Sequence, residues 1–296
     1  MAQKVATQGG LVVVDKPGGM TSHDVVSRMR RLARTRRVGH GGTLDPMATG
    51  VLIIGVEKAT RLLTYVIGST KQYTATIRLG ESTVTDDAEG EVVARADASG
   101  VGDEAVAAAL GPLRGEILQV PSSVSAIKIN GVRSYHRVRA GESVDLAARP
   151  VTVTRLDVLA TRRAGAHIDL DVDVACSSGT YIRALARDLG AALGVGGHLT
   201  ALRRTAVGAF TLAEAVTLDE LAERPDPVTL PLQAAADRCF PRRDATEDEA
   251  RTLSHGGPLD PAGIPGPYAV FAPDGTVLAI VSEREGKARP EIVLVP

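Results

Sequence analysis

The sequence has very few aromatic residues and no tryptophan. Aromatic side chains make up 3% of the 296 residues and hydrophobic residues 44%, so aliphatic side chains and alanine must fill the core. The two cysteines, Cys176 and Cys239, lie far apart and form no Cys-x-x-Cys pair. This scarcity argues against a disulfide framework and against a cysteine zinc site, and it predicts a reducing, cytoplasmic setting.

Several motifs of common enzyme classes are also absent. No apolar run approaches the roughly 20 residues that span a bilayer, and no signal peptide is visible, so we expect no membrane association. The six histidines show no His-Glu-x-x-His spacing, and the chain has neither a Gly-x-Ser-x-Gly elbow nor a GxxxxGK[ST] phosphate loop. These absences count against zincins, α/β-hydrolases and P-loop NTPases, and we expect no metal site.

Charge is distributed unevenly along a chain whose net charge is only −1. Residues 1–80 contain 12 Lys and Arg against 4 Asp and Glu, whereas residues 81–110 contain one Arg and eight acids. Six arginines fall within ten positions: Arg28, Arg30, Arg31, Arg34, Arg36 and Arg37. Such a cluster attracts phosphates and predicts a nucleic-acid footprint, although a solvated charged face is the simpler alternative.

The arginine cluster leads into a glycine-rich loop, Gly39-His40-Gly41-Gly42-Thr43-Leu44-Asp45-Pro46-Met47-Ala48-Thr49-Gly50. Asp45 is the only acid between Asp24 and Glu57. Pro46 moves Asp45 towards an extended conformation, and the glycines allow another backbone to come close. The loop therefore suits a reactive carboxylate, although an ordinary turn has a similar composition.

Hydrophobic periodicity predicts an α+β fold. Strands are expected at 11–14, 51–56, 73–79, 151–159 and 168–174, with further short strands at 268–271, 277–281 and 292–295. One helix should begin at Thr21 or Ser22 and extend to about Ala33, and another should follow Arg183 and stop at Gly190. The acidic segment from Thr83 to Gly90 is expected to be a solvated turn.

The segment Gly42-Thr43-Leu44-Asp45-Pro46-Met47-Ala48-Thr49-Gly50-Val51-Leu52 resembles the catalytic motif of the TruB family, the tRNA pseudouridine-55 synthases. Further segments resemble that family in the same order, so the resemblance covers nearly the whole chain: 16–22, 71–73, 176–183 and 198–205. It implies a pseudouridine synthase catalytic domain with a mixed, mostly antiparallel sheet at residues 1–240. It also implies a basic RNA-gripping loop at 119–149 and a small β-rich, PUA-like domain at 241–296.

The resemblance also implies a site and a reaction. Asp45 would be the catalytic nucleophile, Arg183 its ionic partner, and Tyr73 the side chain that stacks on the target uracil. Substrate-binding roles fall on His40, Lys16, Tyr181, Leu202 and Lys128. The enzyme would isomerise uridine 55 in the T-arm of tRNA after flipping the base out, as a monomer and without a cofactor. Attack on ribose C1′ and attack on the base both remain open.

Two other functions compete with this interpretation. One is an RNA-binding module without activity, which the loss of the aspartate or arginine would have favoured. The other is a glycosidase-like enzyme with paired carboxylates, which needs a second acid near Asp45 from a distant part of the chain. Taken singly, Tyr73 and Leu202 could be ordinary packing residues, and Arg183 could be an exposed arginine on a first helical turn.

Overall fold

The computed structural model describes residues 9–122, 128–129, 132–133 and 146–295. The elements of the first half are, in order, β1 (Gly10–Lys16), α1 (Ser22–Leu32), β2 (Val38–His40), β3 (Thr49–Val56), α2 (Leu63–Ile67), β4 (Lys71–Leu79), β5 (Glu81–Thr83), β6 (Val92–Arg95), α3 (Asp103–Leu110), β7 (Gly115–Gln119), β8 (Lys128–Ile129) and β9 (Val132–Arg133). Those of the second half are β10 (Arg149–Ala164), β11 (His167–Cys176), α4 (Ile182–Ala192), β12 (Gly197–Val207), β13 (Phe210–Thr211), α5 (Leu218–Ala222), β14 (Leu230–Pro231), α6 (Leu232–Cys239), β15 (Arg242–Asp244), α7 (Glu247–Ser254), β16 (Tyr268–Phe271), β17 (Val277–Arg284) and β18 (Lys287–Val293).

Packing divides the chain into two compact units. The first contains residues 1–44, 51–67 and 209–296, and the second contains residues 45–50 and 68–208. The chain therefore enters the second unit twice, first for the short segment that carries Asp45. The division at residues 240 and 241 that the sequence suggests remains a prediction.

The second unit is built on a sheet in which β12, β4, β11, β10 and β7 are neighbours in that order and run antiparallel. Side chains of β4 and β11 alternate between buried and more exposed positions, as the sequence predicts. The outer face is neutralised by cross-strand ion pairs, for example Arg78 Nε to Asp169 Oδ1 at 2.8 Å and Arg155 Nε to Asp173 Oδ2 at 2.7 Å. The inner face is left to the apolar core and the site.

Helix α4 packs against β12 and is longer than the sequence predicts. Gly190 does not end the helix, which continues to Ala192. The glycine is needed for a different reason, because a Cβ at position 190 would collide with the backbone of Gly196 and Gly197. Close packing, and not a helix terminus, explains this glycine.

Helix α1 of the first unit confirms its predicted start. The Thr21 hydroxyl accepts a hydrogen bond from Asp24 N at 3.1 Å, and Asp24 Oδ2 accepts one from Thr21 N at 2.9 Å. This capping box satisfies N–H groups that the first turn leaves unpaired. Val25, Val26 and Met29 form the buried stripe, so the arginines of the helix lie beside and beyond it.

The C-terminal part of the chain forms a separate small β domain, as the sequence predicts. Strands β15, β16, β17 and β18 make one four-stranded sheet with its own apolar core around Tyr268, Val270 and Leu253. Within the same compact unit, the Tyr65 hydroxyl donates to Glu291 Oε2 at 2.5 Å. The ring of Tyr65 also meets that of Phe240 edge-on, with centroids 4.9 Å apart.

Candidate active site

Asp45 lies on a loop between β2 and β3, and its side chain is about one-third exposed at 32%. The turn closes through a hydrogen bond from Ala48 N to Asp45 O at 3.1 Å. Gly50, at the end of the loop, has φ of +100°, a left-handed conformation that favours glycine. The loop thus presents a carboxylate that solvent or substrate can reach, on a backbone whose turns are fixed.

Arg183, on the first turn of α4, holds the Asp45 carboxylate with two hydrogen bonds. Arg183 Nε lies 2.9 Å from Asp45 Oδ2, and Arg183 Nη2 lies 3.2 Å from Asp45 Oδ1. The two residues are 138 positions apart in the chain. Only 6% of the arginine side chain is exposed, so the alternative of a solvated arginine is wrong. A planar guanidinium that contacts both oxygens fixes the orientation of the carboxylate as well as its charge.

A second aspartate, Asp87, lies on the other side of Arg183. Arg183 Nη1 is 3.4 Å from Asp87 Oδ2 and donates to Thr85 O at 2.8 Å. Asp87 is 3% exposed, and its Oδ1 accepts hydrogen bonds from Thr85 Oγ1 at 2.5 Å and Glu89 N at 3.1 Å. The expectation of a solvated turn at 83–90 holds for Val84, Ala88 and Glu89, which are exposed, but is wrong for Asp87. A short acidic run gives no local sign that its carboxylate will be buried against an arginine 96 residues later in the sequence.

Tyr73 and Leu202 lie on neighbouring strands of the second unit, on the same inner face. Leu202 on β12 is opposite Ala75 on β4, two residues from Tyr73. Tyr73 is 6% exposed and Leu202 is 7% exposed. Burial raises the pKa of the Tyr73 hydroxyl, and the nearby Asp45 carboxylate acts in the same direction. Tyr73 is therefore neutral at physiological pH.

Sequence comparisons match almost all of the chain. The profile described as "TruB family pseudouridylate synthase (N terminal domain)" matches residues 30–182, and two C-terminal TruB profiles match residues 183–226 and 240–295. The protein "tRNA pseudouridine synthase B" of Arthrobacter sp. (strain FB24) is 61% identical, over 97% of this chain and 97% of that protein. The protein of the same name from Nocardia farcinica (strain IFM 10152) is 59% identical, over 99% and 96%.

The chain belongs to the TruB family of pseudouridylate synthases. It is thus an enzyme of the isomerase class. Solved structures agree with this fold. A "Cbf5-Nop10-Gar1 Complex" contains a chain with a TM-score of 0.74 and 26% identity, covering 99% of this chain and 87% of that one. A second, "H/ACA RNP bound to a substrate RNA containing 2'-deoxyuridine", gives a TM-score of 0.71 at 25% identity, covering 97% and 85%.

In this TruB-family chain, Tyr181 precedes α4 and is held through its backbone. Tyr181 N donates to Gln119 Oε1 at 2.8 Å, and Gln119 Nε2 donates to Tyr181 O at 3.1 Å. Gln119 is 2% exposed, so these reciprocal hydrogen bonds are buried. They fix the backbone two residues before Arg183, at the start of the helix. This explains why the Arg183 side chain, on the first turn, has a defined orientation towards Asp45.

The remaining predicted site residues are placed differently. Lys16 is fully buried, and its Nζ donates to Pro17 O at 2.8 Å and Met20 O at 2.6 Å, which clamps the turn after β1. His40 ends β2 and is partly buried. Both belong to the first compact unit, whereas Asp45, Tyr73 and Arg183 belong to the second. Lys128 begins the β8–β9 hairpin, of which only the backbone is described, and most of the predicted loop at 119–149 lies outside the described residues.

Two features are absent from the described part of the chain. Among those residues, no cluster of three or more His, Cys, Asp and Glu side chains is arranged to hold a metal ion. Within the same ranges, no helix has both the length and the apolar character needed to cross a membrane.

Proposed function

We propose that the protein isomerises uridine 55 in the T-arm of tRNA to pseudouridine, with Asp45 as the nucleophile. The observation that carries this proposal is the two-point ion pair between Arg183 and Asp45, at 2.9 and 3.2 Å. A tRNA substrate is supported by the names of relatives about 60% identical over nearly the whole chain. The choice of uridine 55 rests on the resemblance of the Asp45 motif to the family.

The reaction is an isomerisation in which the substrate supplies every atom. The N1–C1′ glycosidic bond breaks, the uracil turns, and a C5–C1′ bond forms. The proton on C5 is lost and N1 regains one, so no oxidant, reductant or group donor is needed. Asp45 provides a negative oxygen for covalent catalysis, and Arg183 keeps that oxygen aimed at the flipped nucleotide. Tyr73 offers an aromatic face against which the uracil stacks.

The other predicted residues complete the proposed binding site. Tyr181 and Leu202 line the uracil pocket, and His40 holds the flipped RNA. Lys128 contacts the T-arm from the hairpin. Lys16 acts indirectly, because its ammonium group is directed to backbone carbonyls and so shapes the turn after β1. We further propose that the enzyme works as a cytoplasmic monomer without a cofactor.

The competing function with paired carboxylates gains a second acid near Asp45, but not one suited to that role. Asp87 lies across Arg183 from Asp45 and already accepts hydrogen bonds from Thr85 and Glu89. An acid–base partner needs a proton and access to the leaving group. Asp87 is buried against Arg183 and lacks that access, so it supports Arg183 instead.

The test is conversion of an unmodified tRNA transcript by the purified protein without added metal. Pseudouridine is located by carbodiimide treatment followed by reverse transcription. The expected result is one stop that reports position 55, together with no stop there when uridine 55 is replaced by cytidine. Modification at other uridines with none at position 55 would contradict the proposed specificity. No pseudouridine in any tRNA would contradict the proposed substrate.

A further inference from the structure

Arg204 is the largest side chain that is fully buried in the described part of the chain, with 1% of it exposed. A guanidinium is costly to remove from water unless its N–H groups find partners inside the protein. Arg204 lies on β12 between Leu202 and Ala206, and all three side chains are buried on the same face. Its charge is therefore directed towards the interior of the site.

The register of the sheet places Arg204 directly opposite Tyr73. The two residues are paired in the antiparallel β12–β4 ladder, and both side chains are buried. Opposite residues on one face are the closest side-chain neighbours that a sheet provides. Burial raises the pKa of the Tyr73 hydroxyl, and the positive charge of the Arg204 guanidinium opposes that rise.

The backbone of Arg204 lies against the segment that carries Asp45. Arg204 pairs in parallel with Gly50, the last residue of the loop that carries Asp45. A Cβ on Gly50 would collide with the carbonyl oxygen of Arg204, so this approach requires glycine. One residue thus contacts Tyr73 with its side chain and the Asp45 loop with its main chain.

A second buried cation lies nearby and has a different partner. Lys71 on β4 is opposite Cys176 on β11, and Lys71 Nζ donates to Ser69 O at 2.9 Å. Burial, followed by the charge of Arg204, lowers the pKa of Lys71 to about 8. Arg204 also acts on the Tyr73 hydroxyl, from the position directly opposite Tyr73 in the β12–β4 ladder.

We propose that Arg204 is a positioning residue for pseudouridine formation, which fixes the Tyr73 ring relative to Asp45 because its buried side chain lies directly opposite that ring in the β12–β4 ladder. The uracil must turn between bond cleavage and bond formation, and a tyrosine ring that tilts would lose its stacking contact during that turn. The inference rests on the proposed assignment of Tyr73 to the uracil site.

The test is a double-mutant cycle on the single-turnover rate with a saturating T-arm RNA, using Arg204→Met, Tyr73→Phe and the double variant. Arg204→Met should slow the reaction about 10- to 100-fold, as expected for loss of a buried interaction with a charged group. The double variant should be within about 3-fold of Tyr73→Phe alone. Arg78→Met is the matched control, because Arg78 is on the same strand as Tyr73 but on the outer face.

A spectroscopic readout separates positioning from general loosening. With ring-labelled ¹³C-tyrosine, the Tyr73 resonance is assigned by its loss in Tyr73→Phe. That resonance should shift in Arg204→Met and stay in place in Arg78→Met. If Arg204→Met does not fold, Arg204→Lys provides the same test, because it keeps the charge but lacks the planar fork.

The possible outcomes are distinct. An active wild type with additive losses in the cycle, or with an unmoved Tyr73 resonance in the folded Arg204 variant, would overturn the inference. A wild type that makes no pseudouridine in T-arm RNA would instead contradict the proposed function. The resonance test would then still show whether Arg204 orients Tyr73.

Discussion

Arg183 is held from three sides, by the carboxylates of Asp45 and Asp87 and by the carbonyl oxygen of Thr85. A lysine keeps the charge but lacks the planar fork, so it cannot contact both oxygens of Asp45 and also reach Asp87 and Thr85. We therefore expect Arg183→Lys to slow single turnover by about 100-fold or more while RNA affinity changes little. Arg187→Lys is the control, because Arg187, one turn further along α4, pairs with Asp86 and Asp188. Equal losses in the two variants would count against a specific role for Arg183.

Asp87 gives a second prediction at this scale. Asp87→Asn keeps the shape but removes the charge that faces Arg183, so the guanidinium loses one anchor. The single-turnover rate should fall about 10- to 100-fold. Asp86→Asn is a matched control, since the neighbouring acid pairs with Arg187 at 3.5 Å and not with Arg183. A rate for Asp87→Asn as high as that of the control would show that the charge of Asp87 is not needed to hold the arginine.

Lys71 predicts a pH dependence of stability. Its folded pKa of about 8 lies below the ordinary value of 10.5, so below pH 8 the folded state must carry a buried charge. Between pH 8 and 10.5 the unfolded chain binds the proton more strongly, and stability rises with pH. The free energy of unfolding, measured in urea, should therefore increase from pH 8 to 10.5 by more for the wild type than for Lys71→Met. Lys58→Met should run parallel to the wild type, and parallel curves for both variants would contradict the prediction.

At the scale of elements, patterns formed by residues close together in the sequence predict the structure correctly. The alternation along β4 and β11, the capping box of α1 and the short C-terminal strands are confirmed because each depends on neighbouring residues. Two expectations are wrong at positions whose environment is set by residues distant in the sequence. Gly190 does not end α4 but allows the backbone of Gly196 and Gly197 to come close, and Asp87 in the acidic turn is buried beside Arg183. The importance of Arg204 was likewise invisible without the β12–β4 register.

Helix α1 and the residues that follow it test the proposed RNA footprint. Four arginines of this segment are exposed, Arg31, Arg34, Arg36 and Arg37, and the last of them pairs with Glu57. The test uses the other three, Arg31, Arg34 and Arg36. Changing them together to glutamine should weaken T-arm binding and flatten its salt dependence, because each lost phosphate contact lowers the slope by about 0.7 to 0.9. The rate at saturating RNA should change much less. The measurement is the dissociation constant as a function of salt concentration.

The control for this prediction removes the same charge elsewhere. Changing Arg95, Arg162 and Arg163 to glutamine removes arginines that pair with the carboxylates of Glu81, Asp171 and Asp103. The affinity and the salt slope should then stay near those of the wild type. Equal effects in the two triple variants would indicate that net charge, and not the α1 cluster, governs binding.

At the scale of the whole molecule, the chain visits its second compact unit in two separate passes. The short segment 45–50 places Asp45 in the same unit as Arg183, although the residues before and after this segment in the sequence belong to the first unit. A motif search finds both segments, but their meeting depends on packing between parts of the chain 138 residues apart. The resemblance of the sequence to the family therefore predicts the pair of Asp45 and Arg183. Only the structure shows that Arg183 contacts both oxygens of Asp45 and also contacts Asp87.

The central claim is that the Asp45 carboxylate is the nucleophile of a uridine isomerase. The most direct measurement is pseudouridine formation at position 55 of an unmodified transcript by Asp45→Asn, with deamidation excluded by mass spectrometry. The asparagine keeps the shape of the loop, so the variant should fold and bind T-arm RNA with nearly wild-type affinity. It should form no pseudouridine. Measurable turnover by the folded, undeamidated variant would contradict the claim.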